Sequence, residues 1–239
     1  MAAPHAHLPG AIPGAIMENI SLASTNMVES QLRPNDVTNP RLLAEFLRVP
    51  RENFVPGARR ALSYADQDVE LKPAGTKGPA RYLMQPMTFG RMVQLADVKP
   101  TDLVLDVGCG TGYSAAILSA LADSVVALEC DEDLAAIAND VLPALQIANA
   151  AVVTGPLPQG YAAEGPYDVI VVNGQLGAVP GALCDQLKEG GRLVAVLEEG
   201  GVRRIWVFHR HDGKTTGIAG FNAAAPVLPG FEPEEEFVF

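Results

Sequence analysis

Residues 103–112 read Leu-Val-Leu-Asp-Val-Gly-Cys-Gly-Thr-Gly, an apolar run broken only by Asp106 and followed by three glycines in five positions. A short apolar run of this kind is a buried strand in a parallel sheet. Gly108, Gly110 and Gly112 let the chain turn tightly and let its backbone approach a ligand closely. The apolar stretch from Tyr113 to about Leu121 then predicts a helix whose first N–H groups face the turn. By itself the glycine pattern is only moderately specific, because a tight strand-to-helix turn without a ligand uses the same residues.

Beyond this segment, strands are predicted at Ser124–Glu129, Ala151–Thr154 and Val169–Asn173, with helices from about Asp133 to Ile147 and around Gly181 to Leu187. Strands alternating with helices imply an α/β fold, a mostly parallel sheet covered on both faces. Arg192–Leu197 and Arg204–Arg210, separated by Glu-Glu-Gly-Gly-Val, predict an antiparallel C-terminal hairpin at one sheet edge. Towards the N-terminus, Val28, Gln31 and Leu32 precede a Pro34-Asn35-Asp36 turn. Thr38-Asn39-Pro40 then starts a helix carrying Leu42, Leu43, Phe46 and Leu47, and Pro86–Ala96 reads as another. Between them, Leu71–Gln85 is rich in glycine and proline and predicts an irregular, functional loop. Residues 1–16 read as a flexible extension and 17–239 as one domain, with a helical and loop region over 17–96 and an α/β core, hairpin and tail over 97–239.

The 239 residues carry 28 acidic and 17 basic side chains, a formal charge of −11 that repels polyanions and argues against a nucleic-acid partner. No apolar run approaches the ~20 residues of a membrane span. Cys109, Cys130 and Cys184 are odd in number and form no CxxC pair, so they read as reduced thiols in a cytoplasmic protein. His5 and His7 fall in the extension, His209 and His211 near a hairpin end; all four read as solvated, and no residue set has metal-ligand spacing. The acidic run Glu232-Pro233-Glu234-Glu235-Glu236 before Phe237-Val238-Phe239 reads as a solvated tail. The oligomeric state is left open.

Glu129 ends the strand after the glycine turn, where a carboxylate can accept hydrogen bonds from ribose hydroxyls. It is expected to face that ribose and to contribute little to the core. The turn reads D-x-G-x-G-x-G rather than the dinucleotide pattern, and Asp106 at its head would repel a pyrophosphate. A cationic, zwitterionic cofactor fits better, and S-adenosylmethionine has the required amino group, sulfonium and ribose.

The segments VLDVGCGTGYSAAIL (104–118) and VVALECD (125–131) resemble the cofactor motifs of class I S-adenosylmethionine-dependent methyltransferases. MVESQLRPNDVTNPRLL (27–43), VPRENFVP (49–56), YADQDVEL (64–71), QPMTFGRM (85–92), GYAAEGPYDVIVV (160–172) and DQLKEGGRLVAVL (185–197) follow, in order, the protein-L-isoaspartate O-methyltransferase family. The resemblance spans about Met27 to Arg210. It implies a Rossmann-like seven-stranded methyltransferase fold and methylation of isoaspartyl carboxylates in damaged proteins, a protein-repair reaction. It implies cofactor contacts at Asp106, Gly108, Cys109, Gly110, Thr111, Gly112, Glu129, Cys130, Gly155, Pro156 and Asn173, and an acceptor-orienting loop containing Tyr82, Met84 and Gln85. A carboxylate acceptor is already nucleophilic at neutral pH, so this reaction requires positioning and dryness rather than a general base.

Three stretches depart from the family pattern. Met84 stands at the family's serine and Tyr82 at its threonine, Gly155-Pro156-Leu157 replaces Gly-Asp-Gly, and Asn173-Gly174-Gln175 replaces Thr-Ala-Ala or Gly-Ala-Ala. Two other readings remain open at this level: a non-catalytic binding or scaffold protein on the same fold, and a methyltransferase of small molecules.

Overall fold

The computed structural model describes residues 22–75 and 78–232. A seven-stranded sheet runs β5 (Ala150–Thr154), β4 (Ser124–Glu129), β3 (Leu103–Val107), β6 (Tyr167–Leu176), β7 (Leu187–Glu199), β8 (Val202–His211), β9 (Lys214–Asn222). The first five are mutually parallel and the last two pair antiparallel. The chain steps from β3 outward to β4 and β5, then returns to place β6 on the other side of β3. That reversal opens a crevice beyond the carboxyl ends of β3 and β6, where open α/β sheets bind ligands.

Strand alternation builds two apolar layers. Val104, Val169 and Val171 face one cluster, together with Phe89 and Met92 of the helix Pro86–Ala96 and Ile117 of the helix Tyr113–Ser119. Leu105, Val107, Ile170 and Val172 face the other, closed by Leu183, Leu228 and Phe231. The opposite directions follow from the two-residue period of a strand.

Local sequence explains most boundaries. Asn39 accepts hydrogen bonds from the Arg41 and Leu42 N–H groups, with Pro40 opening the helix Pro40–Arg48. Asp131 caps the helix Glu132–Ala144 in the same way.

Three expectations need correction. Leu71–Gln85 is not irregular throughout: its ends belong to β1 (Val69–Lys72) and β2 (Arg81–Leu83), which form an antiparallel pair with Val69 opposite Leu83, and the described residues between the two strands lie outside any named strand or helix. Val69, Leu71 and Leu83 alternate inward, so the glycine and proline residues mark only the connection between two strands. The hairpin of β7 and β8 is not at the sheet edge, because β9 lies outside it. Every residue of β9 is exposed, which leaves no buried face to imprint a pattern on the sequence. Leu47 is also exposed rather than in the core. The 1–16 extension, with His5 and His7, and the tail beyond Glu232 lie outside the described residues.

Candidate functional site

The glycine turn crosses the end of β3 and is anchored to β4: the Gly108 and Cys109 N–H groups donate to the Leu128 carbonyl at 2.8 and 3.2 Å. Gly108 and Gly110 have φ of 76° and 57°, a left-handed conformation that favours glycine. Gly112 has a packing role, since a Cβ there would lie 3.2 Å from that of Ala138 in the neighbouring helix. Thr111 uses its hydroxyl structurally, donating to the Phe54 carbonyl at 2.6 Å.

Asp106 is fully buried beneath the turn. Ser114 Oγ donates to it at 2.7 Å and Asn173 Nδ2 donates to its other oxygen. Burial pushes its carboxyl pKa up to about 7, the two donors pulling against that rise and the negative charge of Glu129 adding to it. Asn173 Oδ1 is buried without a hydrogen-bond partner among the described residues. Beside it, a cavity of about 20 Å³ is lined by Leu71, Tyr82, Met84, Tyr113, Ser114 and Asn173. The fold thus brings Asp106, Gly108, Asn173, Tyr82 and Met84 to one place.

Glu129 is fully buried and saturated. Oε1 accepts from the Cys130 and Asp131 N–H groups at 2.8 and 3.0 Å, and Oε2 from the Gly110 N–H at 2.7 Å. The guanidinium of Arg81, only 4% exposed, then makes a two-pronged pair, Nη1 to Oε1 and Nη2 to Oε2 at 2.9 Å. Burial opposes the Arg81 charge, but the Glu129 carboxylate outweighs it and holds the guanidinium above its ordinary pKa. Glu129 therefore does contribute to the interior, contrary to the expectation for a strand-end carboxylate. Cys130 flanks the pair, and its thiol is pushed up to about 11 by burial and then by Glu129. Burial, with Asp106 and Glu129 adding to it, raises Cys109 well above its usual value, so the helix end does not activate it.

The remaining predicted residues lie apart. The Gly155 N–H donates to the Glu129 carbonyl at 3.0 Å, and Pro156 leads into the short turn Leu157–Gln159 without lining either cavity of the crevice. Gln85 bonds Thr88 Oγ1 at 2.7 Å and borders a separate groove with Glu198 and Arg203. His209 and His211 are exposed. Folding brings His211 to Glu189 and Asp212, a grouping that no sequence spacing announces, and all three are exposed.

Sequence reasoning missed Arg81 and Arg51. Arg51 is fully buried, donates to the Ser63 and Met84 carbonyls at 2.6 and 2.5 Å, and stacks 4.7 Å above the Tyr113 ring. It fixes the backbone at Met84. Arg81 sits in a stretch whose composition suggested a loop; the only signal available was its alternation with Leu83.

A parallel sheet that reverses at a glycine-rich turn and ends in antiparallel strands, with a carboxylate at the end of the second strand, defines the class of Rossmann-like methyltransferases. A sequence profile described as Protein-L-isoaspartate(D-aspartate) O-methyltransferase (PCMT) matches residues 23–224. The chain belongs to the protein-L-isoaspartate O-methyltransferase family. It is 35% identical over 198 residues to the Koribacter versatilis protein of that name, covering 83% of this chain and 86% of that one. With the Trichlorobacter lovleyi protein the identity is 37% over 215 residues, 90% and 96% of the two chains. A solved protein-L-isoaspartate O-methyltransferase superposes with a TM-score of 0.76 at 24% identity, over 88% of this chain and 67% of that chain. A Plasmodium falciparum structure in complex with S-adenosyl-L-homocysteine superposes at 0.71 with 18% identity, over 87% and 97%.

The family's methyl donor is S-adenosylmethionine, and in this conformation the crevice does not fit it. Sites for ligands of that size hold ~300–1,000 Å³. Between the glycine turn and the β1–β2 pair the crevice keeps cavities of only about 80 and 20 Å³, the larger bordered by Lys72, Arg81, Asp131 and Pro229, and the hollow of about 310 Å³ beside it lies outside the Lys72–Asp131 pair, bordered by Lys72, Cys130, Asp131, Glu132 and Asp133. Glu129 accepts five N–H hydrogen bonds, more than the ~4 lone-pair positions of a carboxylate, so no acceptor remains for ribose hydroxyls. The surfaces that the glycines would bare are covered too. A Cβ at Gly108 would lie 3.1 Å from both Leu228 methyl groups, one at Gly110 2.9 Å from Leu71 Cδ1, and one at Gly174 2.5 Å from Leu228 Cγ.

Proposed function

We propose that this chain is an S-adenosylmethionine-dependent carboxyl methyltransferase that acts on isoaspartyl residues of damaged proteins, working from an arrangement more open than the one described. The observation that carries this reading is the meeting, at the sheet's switch point, of the Asp106–Gly112 turn, Glu129 and the Tyr82–Met84 segment in a member of this family.

The chain's own residues supply position rather than acid–base chemistry. Arg51 pins the Met84 carbonyl, and Phe54 and Phe89 pack around Tyr113, which fixes the floor under the acceptor loop. Met84 presents a thioether where the family has a hydroxyl, so an acceptor carboxylate meets an apolar, water-excluding wall there. Asn173 Oδ1, without a partner, is the acceptor left for a cationic group entering the small cavity. Among the described residues no helix is long and apolar enough to cross a membrane. The free thiols Cys109, Cys130 and Cys184 support a reducing, cytoplasmic setting.

The test is transfer of radiolabelled methyl to an isoaspartyl peptide and to its aspartyl counterpart, counted as base-labile ester. Label confined to the isoaspartyl peptide is expected. Equal labelling of both, or label only on a small-molecule acceptor, would contradict the assignment.

A further inference from the structure

We propose that Arg81 and Leu228 form an internal latch that takes the place of the adenosyl group, so that the donor and the latch exclude one another. The inference rests on the donor-site reading above and concerns how that same site is controlled.

Three independent features point to it. The first is charge. Asp106 and Glu129 are both fully buried, a pair of acids suited to a cationic ligand, and Arg81 supplies a cation from within the chain. Its planar fork meets both Glu129 oxygens, where two ribose hydroxyls would otherwise bond. The second is shape. Leu228, 4% exposed, fills the space beside Gly108 and Gly174, and Arg81 Nη2 would lie 3.6 Å from a Cβ at Gly108. The ligand-facing surface of the turn is thus covered by side chains of two distant segments.

The third is the way the covering segments are held. The segment carrying Leu228 is tied to the end of β6 by a few backbone bonds: Gln175 N–H to the Pro226 carbonyl at 2.9 Å, Leu228 N–H to the Gln175 carbonyl at 3.2 Å, and Gly177 N–H to the Phe231 carbonyl at 2.8 Å. It belongs to no sheet strand. Arg81 belongs to the two-stranded sheet of β1 and β2, which among the described residues is not paired with the main sheet. Both can therefore leave with the backbone pairing of the seven strands intact, at the cost of uncovering the apolar layer that Leu228 and Phe231 close. The rim is fastened as well, Lys72 of β1 pairing with Asp131 and Asp133 at 2.6 and 2.7 Å.

A ligand that needs the open state binds more weakly by the fraction of molecules that are open. Loosening the latch tightens donor binding without any new contact.

The experiment is calorimetric titration of S-adenosylhomocysteine into the full-length protein, the Leu228→Ala variant and the Arg81→Lys variant, with far-ultraviolet circular dichroism checking that each is folded. Arg81→Lys keeps the charge beside Glu129 but loses the two-pronged fork, so it is expected to fold where an alanine there would strand a buried carboxylate. The latch predicts a Kd above about 1 mM for the wild type and binding tighter by about tenfold or more in both variants. Micromolar binding by the wild type, unchanged in the variants, would overturn the latch and leave the donor site intact. Folded variants that bind nothing would overturn the latch and the donor site together.

Discussion

Replacing Glu129 with alanine is expected to destabilise the ligand-free protein strongly, although a carboxylate at a strand end is ordinarily dispensable. The side chain is fully buried and receives five N–H groups: two from Arg81 and one each from Gly110, Cys130 and Asp131. Removing one partner of a buried ion pair typically costs ~3–5 kcal/mol, because the other charge stays buried. A backbone N–H left without an acceptor adds ~1–3 kcal/mol while it stays dry, though water entering the vacated space recovers part of that. A net loss of ~4–6 kcal/mol follows, and at ~2–4 °C per kcal/mol for a domain of this size the Tm falls by roughly 8–24 °C. Scanning calorimetry without ligand measures it. Glu129→Gln, which keeps one acceptor oxygen, should lose less. Combining Glu129→Ala with Arg81→Met should lose less than the sum, since removing both charges leaves neither stranded. A fall below about 2 °C for Glu129→Ala would mean the carboxylate is already solvated, and the pairing with Arg81 would be refuted.

The carboxyl pKa of Asp106 is raised from its ordinary 3.8 to about 7, chiefly by burial, so the stability it contributes is full below the lower value and lost as pH rises through the upper one. Asp106→Asn escapes that loss while keeping one acceptor and one donor, and its Tm relative to the wild type should rise between about pH 4 and pH 8; a pH-independent difference would count against the shift. Gly174→Ala places a Cβ 2.8 Å from the Pro226 carbonyl as well as against Leu228, so it should displace that segment and speed limited proteolysis near residues 225–231; unchanged cleavage would show that the segment is not tightly seated. Met84→Ser empties part of a buried wall and should cost ~2–4 kcal/mol of stability. In the Leu228→Ala background it should still raise isoaspartyl transfer by about tenfold or more, because an orienting hydroxyl is restored; an unchanged rate would show that Met84 lies away from the acceptor.

The central strands were legible because burial and period coincide there: Leu103–Val107 and Ser124–Glu129 are apolar on both faces, and the glycines after the first admit few other structures. β9 was not, since every residue of Lys214–Asn222 is exposed and the strand is held mainly by its backbone ladder to β8. Pairings made only by tertiary folding were also out of reach. Arg81 and Glu129 are separated by 48 residues, and nothing local to either indicates that β2 swings across the switch point. The same holds for Leu228, whose place over Gly108 depends on the way the chain passes back along the end of β6. Composition misled in the segment from Leu71 to Gln85, where the glycines and prolines of one connection hid the two-residue alternation of the strands on either side.

A crystal structure of the Leu228→Ala variant grown with S-adenosylhomocysteine would show whether ribose and Arg81 compete for Glu129. The ribose hydroxyls are expected on the two Glu129 oxygens, with the Arg81 guanidinium withdrawn from them. A structure in which the ligand is bound at the glycine turn while Arg81 still pairs with Glu129 would contradict the latch.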